Sequence, residues 1–314
     1  MRSFSLVATF LLRLFCIKNE VKIRFLRISY IIAAGMFLLA VVTSCSKEKD
    51  ESMVMTMTIN ASGKVTIGLA GTGLATIDWG DGSETDTKEL CTICTFSPIF
   101  IDNAIFFKHD YSGTNTRIIK IYGDNITKLI CGYMELSNLD VSKNTKLDVL
   151  FCSYTLLKNL DVSKNADLTY LCCDNNQLSS LDVSNNTALT LLNCTYNQLT
   201  KLNVHGASVL RLLACDNNQL TSLDVSQNTV LEVFHFSNNQ FTSMDVSKNT
   251  VLYELICRNN QLTAVTLDAL FETLHDNTVP FRTTEKQIII SNNPGIDDCD
   301  PNIAKKKGWK VYTE

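Results

Sequence analysis

Between residues 124 and 272, apolar and polar positions recur with a fixed step of 21 residues. The triplet Leu-Asp-Val begins at Leu139, Leu160, Leu181 and Leu223, and variants of it begin at Leu202, Met244 and Val265. The fullest unit, Leu168 to Ala188, reads L-x-x-L-x-C-x-x-N-x-L-x-x-L-D-V-S-x-N-T-x, and seven units fit between Ile126 and Phe271/Glu272. L-x-C and L-x-V alternate with period two, the mark of a short strand with one face inward. A coil this small cannot bury its own apolar residues and must stack on the next coil to do so. The pattern predicts a mainly β solenoid of about seven coils, with two short strands per coil and two parallel sheets on opposite faces.

The period and spacing resemble the leucine-rich repeat. The nesting of L-x-x-L-x-C-x-x-N with L-x-x-L-D-V-x-x-N is similar to the bacterial 21-residue class called IRREKO repeats. The resemblance implies a structural ladder of Asn176, Asn197, Asn218, Asn239 and Asn260, whose side chains satisfy buried backbone groups at the turn out of the first strand. A second row, Asn144, Asn165, Asn186, Asn228 and Asn249, is expected to do the same at the other turn. Met134 and Thr155 replace the first row in the first two coils, which are therefore expected to be less regular.

The flanks follow a different grammar. In residues 52–123, VMTMTI, KVTIGLA and ATIDWG read as strands separated by Gly, Asn and Ser turns. Trp79 to Ser83 (WGDGS) and His109 to Tyr111 (HDY) resemble the turn and late strand of the polycystic-kidney-disease-type β-sandwich. The apolar stretch 88–107, with its CTIC, departs from that pattern. Asp81 in such a turn reads as structural rather than as a calcium ligand. Residues 273–314 read as a capping unit, which an open solenoid end requires. The pattern gives a helix over Leu267 to Asp276, a strand and turn in QIIISNNPG, a short helix over Pro301 to Lys307 and a last strand in WKVYTE, with Cys299 buried among them.

Twelve cysteines invite a disulfide framework. Their spacing argues otherwise. Cys131, Cys152, Cys173, Cys194, Cys215 and Cys257 share one inward site, which Phe236 fills in the remaining coil. A site that alternates with an aromatic holds a small hydrophobe. Parallel rungs keep equivalent Cβ atoms about 4.8 Å apart, whereas a disulfide needs about 3.5–4.5 Å. A linear row also cannot surround zinc tetrahedrally. Cys91 and Cys94 form the one C-x-x-C and read as a loop disulfide or free thiols.

Residues 28–44 are apolar and uncharged, with Lys22, Arg24 and Arg27 before them. This is the layout of an export signal, too short for a membrane span. It ends in Val42-Thr43-Ser44-Cys45, which resembles the bacterial lipobox and implies lipidation of Cys45. Two or three acyl chains meet the requirement for stable anchoring. Ser46 after the cysteine implies the outer membrane, and the SKEKDE run is similar to surface-export tails of Bacteroidetes lipoproteins. A periplasm-facing orientation is the alternative. Residues 1–20 fit this layout badly, and translation from Val21 gives a standard signal. The expected organisation is a signal peptide (1–44), a lipidated tether (45–51), a β-sandwich (52–123), the solenoid (124–272) and the cap (273–314).

The formal charge of −4 understates the acidity of the exported part. The first 44 residues hold six of the 28 basic and one of the 32 acidic residues, leaving a net charge of −9. Such a chain is a poor ligand for a phosphate backbone, which disfavours nucleic acid. No Ser-His-Asp set, phosphate-binding loop or H-E-x-x-H is visible, and His109, His205, His235 and His275 are scattered. No enzyme activity, cofactor or metal is expected. The row Asp140, Asp161, Asp182, Asp224 and Asp245 points outward, where neighbouring hydroxyls, amides and lysines compensate the repulsion of stacked carboxylates. The first-strand face is the expected binding surface for a partner protein. Its outward residues include Ile130, Phe151, Asn193, Ala214, His235 and Ile256. Val149, Tyr170, Leu191, Leu212 and Val233 flank them, and Tyr133, Tyr154 and Tyr196 lie at the edge. Exposed apolar and aromatic rows on a sheet mark a partner surface. Glycan binding and a purely structural stalk are the alternatives.

Overall fold

The computed structural model describes residues 54–60, 62–90, 104–277 and 285–314. Residues 1–53, with Cys45, and the CTIC cysteines lie outside the described residues.

The array is a β-solenoid whose rungs repeat in perfect register. Its first-strand face runs through β6 (Asn125–Ile130), β8 (Val149–Phe151), β9 (Tyr170–Cys172), β11 (Leu191–Asn193), β13 (Leu212–Ala214), β14 (Val233–His235) and β15 (Glu254–Ile256). All are parallel neighbours, and each residue pairs with the one 21 positions on, as in Val149 with Tyr170 and Leu191 with Leu212. The inward residues between them, Leu129 through Leu255, are fully buried.

The second side differs from the expected second parallel sheet. Only β10 (Ser180–Asp182) and β12 (Lys201–Asn203) pair there in parallel among the described residues. β7 (Leu136–Asp140) of the first coil pairs antiparallel with β1 (Val54–Ile59) instead. Asp140, Asp161, Asp182, Asp224 and Asp245 each accept the backbone N–H of the Ser two residues on, at 2.8–2.9 Å. The same Asx turn closes the paired strands, at Asp182 and at Asn203, so it ends each triplet without deciding which coils pair.

Two amide ladders tie the coils together. Asn197 Nδ2 donates to the carbonyls of Cys173 and Cys194, and its Oδ1 accepts from Leu178 N. Asn176, Asn218, Asn239 and Asn260 repeat this arrangement. Thr155 takes the place of an Asn by donating to Cys152 O and to Asn176 Oδ1. In the second row, Asn165, Asn186, Asn228 and Asn249 each donate to two carbonyls of the preceding coil. Asn144 stands in the first coil, and its Nδ2 has no partner.

The segment before the array joins it edge to edge. β2 (Gly63–Asp78) is 16 residues long and pairs antiparallel with β3 (Asp86–Leu90), β4 (Ile105–Tyr111), β5 (Arg117–Tyr122) and β6. The register against β6 shifts at Gly71, where a Cβ would stand 1.9 Å from Asn125 O. β1 pairs with β5 on one side and β7 on the other. Antiparallel strands thus cover both sides of the first coil. Met55, Met57 and Ile77 share one continuous core with Leu129 and Leu136.

At the other end, the seventh unit departs from the repeat. Its VTL triplet, beginning at Val265, belongs to helix α1 (Ala264–Thr273) rather than to a second strand. Thr263 and Thr266 form a reciprocal capping box, and Leu267, Leu270 and Phe271 recur at helical spacing on the buried face. These signals outweigh the repeat letters and start the helix three residues before the expected Leu267. β16 (Lys286–Ile289), α2 (Asn302–Lys306) and β17 (Trp309–Tyr312) follow, and the two strands add parallel rungs to the first-strand face. Asn293 extends the amide ladder into them by donating to Cys257 O and Ile290 O.

Replacing Asn218 by Ala leaves several buried backbone groups unpaired and should cost about 1–3 kcal/mol. Asn144→Ala should cost clearly less, because its Nδ2 has no bond to lose. Urea denaturation of both variants checks the order.

Candidate interaction surface

The parallel register stacks the outward residues of the first-strand face into rows, and the rows pack against themselves. Val149, Asn193, Leu212, Ala214, Val233 and His235 are buried, while Ile130, Phe151, Tyr170, Leu191 and Ile256 are half-buried. The open apolar surface is therefore narrower than the sequence suggests and lies toward the first coils. Its edge is the exposed part: Tyr133 is 65%, Tyr154 40% and Tyr196 49% accessible.

Those tyrosines occupy one repeated backbone position, just before the ladder position that Met134, Thr155 and Asn197 fill. It is left-handed in every rung: Tyr133, Tyr154 and Tyr196 have φ of 59°, 56° and 52°, and Asn175, Asn217, Asn238, Asn259 and Asn292 have φ of 51–59°. Asn tolerates this conformation; for a residue like Tyr it costs on the order of 1 kcal/mol. The Tyr133 and Tyr154 rings stack at 4.7 Å and 10°, with Phe151 6.3 Å from Tyr133.

Beneath this edge lies a buried carboxylate absent from the expected set. Asp174 accepts hydrogen bonds from Ser153 Oγ (2.5 Å), Asn175 Nδ2 (2.8 Å) and Asn193 Nδ2 (3.1 Å). Burial raises its pKa, since its donors are neutral and only partly offset the lost solvation. Asp216 is raised by burial too, and accepts from Ser237 N at 2.6 Å. His235 pairs with Glu254 at 2.9 Å, both buried, so this His is tied down inside the face. The sequence signal for Glu254 is a lone acid after a row that is apolar from Val149 to Val233.

The outer Asp row behaves oppositely. Hydrogen bonds from Ser163, Ser184 and Ser226 lower the pKa of Asp161, Asp182 and Asp224. A depression of about 320 Å³ opens between Asp161 and Asp182, whose carboxylates already serve their Asx turns. Among the described residues, no group of three or more His, Cys, Asp or Glu is arranged to hold a metal ion. In the WGDGS turn, Asp81 accepts from Ser83 N at 3.0 Å and meets His109 Nε2 at 2.7 Å, and His109 stacks on Trp79 at 4.9 Å. Hydrogen bonds from Ser83, more than those from His109, lower Asp81 to about 2.

The six inward cysteines are buried free thiols. Cys194, Cys215 and Cys257 donate to carbonyls of the next rung at 3.4–3.5 Å. Burial pushes Cys131 up to about 12. Cys172 faces outward beside the ladder, and Cys299 is half-buried at the edge of the core rather than fully inside it.

The array is a leucine-rich-repeat solenoid. No protein-family model and no curated protein matches the chain. Among solved structures, it is similar to the functional domain of InlJ from Listeria monocytogenes, described as including a cysteine ladder, at 38% identity and TM-score 0.49. That match covers 57% of this chain and 37% of the solved InlJ chain, little more than a third of it. It is also similar to YopM, a leucine-rich effector protein of Yersinia pestis (20% identity, 54% of this chain, 38% of that one, TM-score 0.34). The internalin InlF of L. monocytogenes matches at 19% identity over 53% of this chain and 54% of its own, with TM-score 0.35.

Two outcomes are expected. An Asp with a raised folded pKa binds more protons folded than unfolded, so stability rises as pH falls toward the unfolded value of about 3.9. Asp161, Asp182 and Asp224 have lowered folded pKa values, so their contribution is lost as pH falls below that value. Thermal stability should thus peak in mild acid, and Asp174→Asn should reduce the gain between neutrality and the peak, as read by melting scans across pH. In Ellman titration, the six inward thiols should stay silent in the native protein and react on unfolding without reductant.

Proposed function

We propose that the chain is a non-enzymatic cell-envelope lipoprotein, acylated at Cys45, whose leucine-rich-repeat solenoid binds a partner protein. The observation that carries this reading is the half-buried apolar group of Phe151 and the in-register pair Tyr170 and Leu191, beside three exposed tyrosines on a continuous parallel sheet. Large rigid side chains on a fixed scaffold give contact area at little entropic cost. The basic-then-apolar leader and the VTSC sequence support the lipid anchor and export to the outer membrane with the solenoid at the cell surface. The WGDGS and HDY segments support a polycystic-kidney-disease-like sandwich between the anchor and the array.

Replacing Phe151, Tyr170 and Leu191 together with Ser should abolish partner capture while the melting temperature and circular dichroism stay close to wild type. Unchanged capture counts against this face. Protease treatment of intact cells, with a periplasmic control protein, should cleave the tagged solenoid; protection until lysis would place it inside and turn the search toward envelope proteins.

A further inference from the structure

Three rungs carry Tyr at a left-handed position where the other five described rungs carry Asn. Local folding favours Asn there, and the exposed rings add little to the core. The tyrosines also follow a pattern. Tyr133 and Tyr154, on adjacent rungs, stack at 4.7 Å and fill the space between them. Tyr154 and Tyr196 are two rungs apart, about 10 Å along the sheet at ~4.8 Å per rung. The rung between them carries Asn175, whose side chain is short. The interval above Asn175 is a slot with an aromatic residue at each end.

The slot has a preferred occupant. A flat group between two rings takes about 7–8 Å, twice the optimal carbon–carbon contact. The interval is wider and suits a puckered ring. The ring faces are electron-rich and attract the polarised C–H groups of a sugar chair. The floor is polar: Asn175 Nδ2 donates to Asp174 Oδ2 at 2.8 Å, the same side chain hydrogen-bonds Tyr154, and its amide oxygen, with two lone pairs, can accept from a hydroxyl. No Lys or Arg is among the residues that define the slot, so nothing there selects an acidic sugar.

We propose that Tyr154 and Tyr196, with Asn175 between them, bind one pyranose unit of a neutral polysaccharide chain. One face of the sugar lies against each tyrosine, and one hydroxyl donates to Asn175 Oδ1. The site shares Tyr154 and Tyr196 with the edge of the proposed protein-binding surface, but it rests on the spacing of the tyrosines and not on that reading.

The test uses the full chain purified in detergent, titrated calorimetrically with cellohexaose, mannohexaose and a galactan hexamer. At least one sugar binds. Tyr154→Asn and Tyr196→Asn each weaken it by about tenfold or more, as expected for the loss of one stacking face. Both variants melt at or above the wild-type temperature, because Asn relieves the left-handed backbone. Asn175→Tyr fills the slot and abolishes binding. Asn217→Tyr introduces the same backbone strain outside the slot and leaves binding intact. Failure of the wild type to bind any of the three sugars overturns the proposal, as does binding that survives Asn175→Tyr. A tryptophan-containing hexapeptide that binds where the sugars do not, and is lost in the same variants, also overturns it and assigns the slot to a side chain of a protein partner.

Discussion

Everything in the array depends on satisfying buried backbone groups across rungs. The first-face strands in the regular coils are three residues long, so most of each coil is turn, and the inner side of those turns is closed to water. An unpaired buried N–H or C=O costs about 1–3 kcal/mol. The solution is the Asn side chain, which supplies two donors and an acceptor. Asn197 binds carbonyls on its own rung and the preceding one, and takes a backbone N–H of the preceding coil. Each coil is therefore completed only by its neighbour. The buried thiols follow the same logic, three of them turning their S–H to the next rung.

That dependence makes the two ends the difficult places. At the start, β1 and β2 close both sides of the first coil with antiparallel pairing and extend one core across the junction. The unpartnered Nδ2 of Asn144 marks where the second ladder has no earlier coil to reach. At the other end, carbonyls are the surplus groups. Lys286, itself buried, donates to His275 O, Asn277 O and Lys307 O at 2.6–3.2 Å, and Lys307 donates to Phe271 O at 3.2 Å. Two ammonium groups thus cap the carbonyls around the end of α1, where positive charge also suits the helix dipole. Burial lowers the pKa of Lys286, yet three carbonyls hold the ammonium in place.

The features legible in the sequence were those that map one residue to one rung. The 21-residue step, the inward Leu and Cys sites and the Asn rows all follow from it, because a parallel in-register stack converts sequence period directly into contact. What escaped reading is decided between coils or by competing local chemistry. Leu-Asp-Val-Ser alternates like a strand, but among the described residues only the coils of Asp182 and Asn203 pair there, although the same Asx turn closes paired and unpaired coils. Val-Thr-Leu keeps the letters of the repeat, but Thr263 and Thr266 cap a helix. Asn293 continues the ladder out of period, and its only signal is the Asn-Asn pair at 292–293, the same pair found at Asn175–Asn176. The burial of Leu212 and His235 depends on how closely neighbouring rows pack, which no single rung encodes.

The left-handed corner is where folding and surface chemistry separate most cleanly. A repeat array carries its own internal comparison: the same left-handed backbone position is filled by Asn in five described rungs and by Tyr in three. Packing does not explain the difference, since the tyrosines are exposed. Backbone preference points the other way, since Tyr at such a φ costs on the order of 1 kcal/mol per rung. Nor does composition, because the tyrosines gather toward the first coils, beside the half-buried Phe151, Tyr170 and Leu191, instead of being spread along the chain. A position that gives up local stability to expose a ring, repeatedly and at one end of one edge, fits a surface shaped for contact rather than for folding.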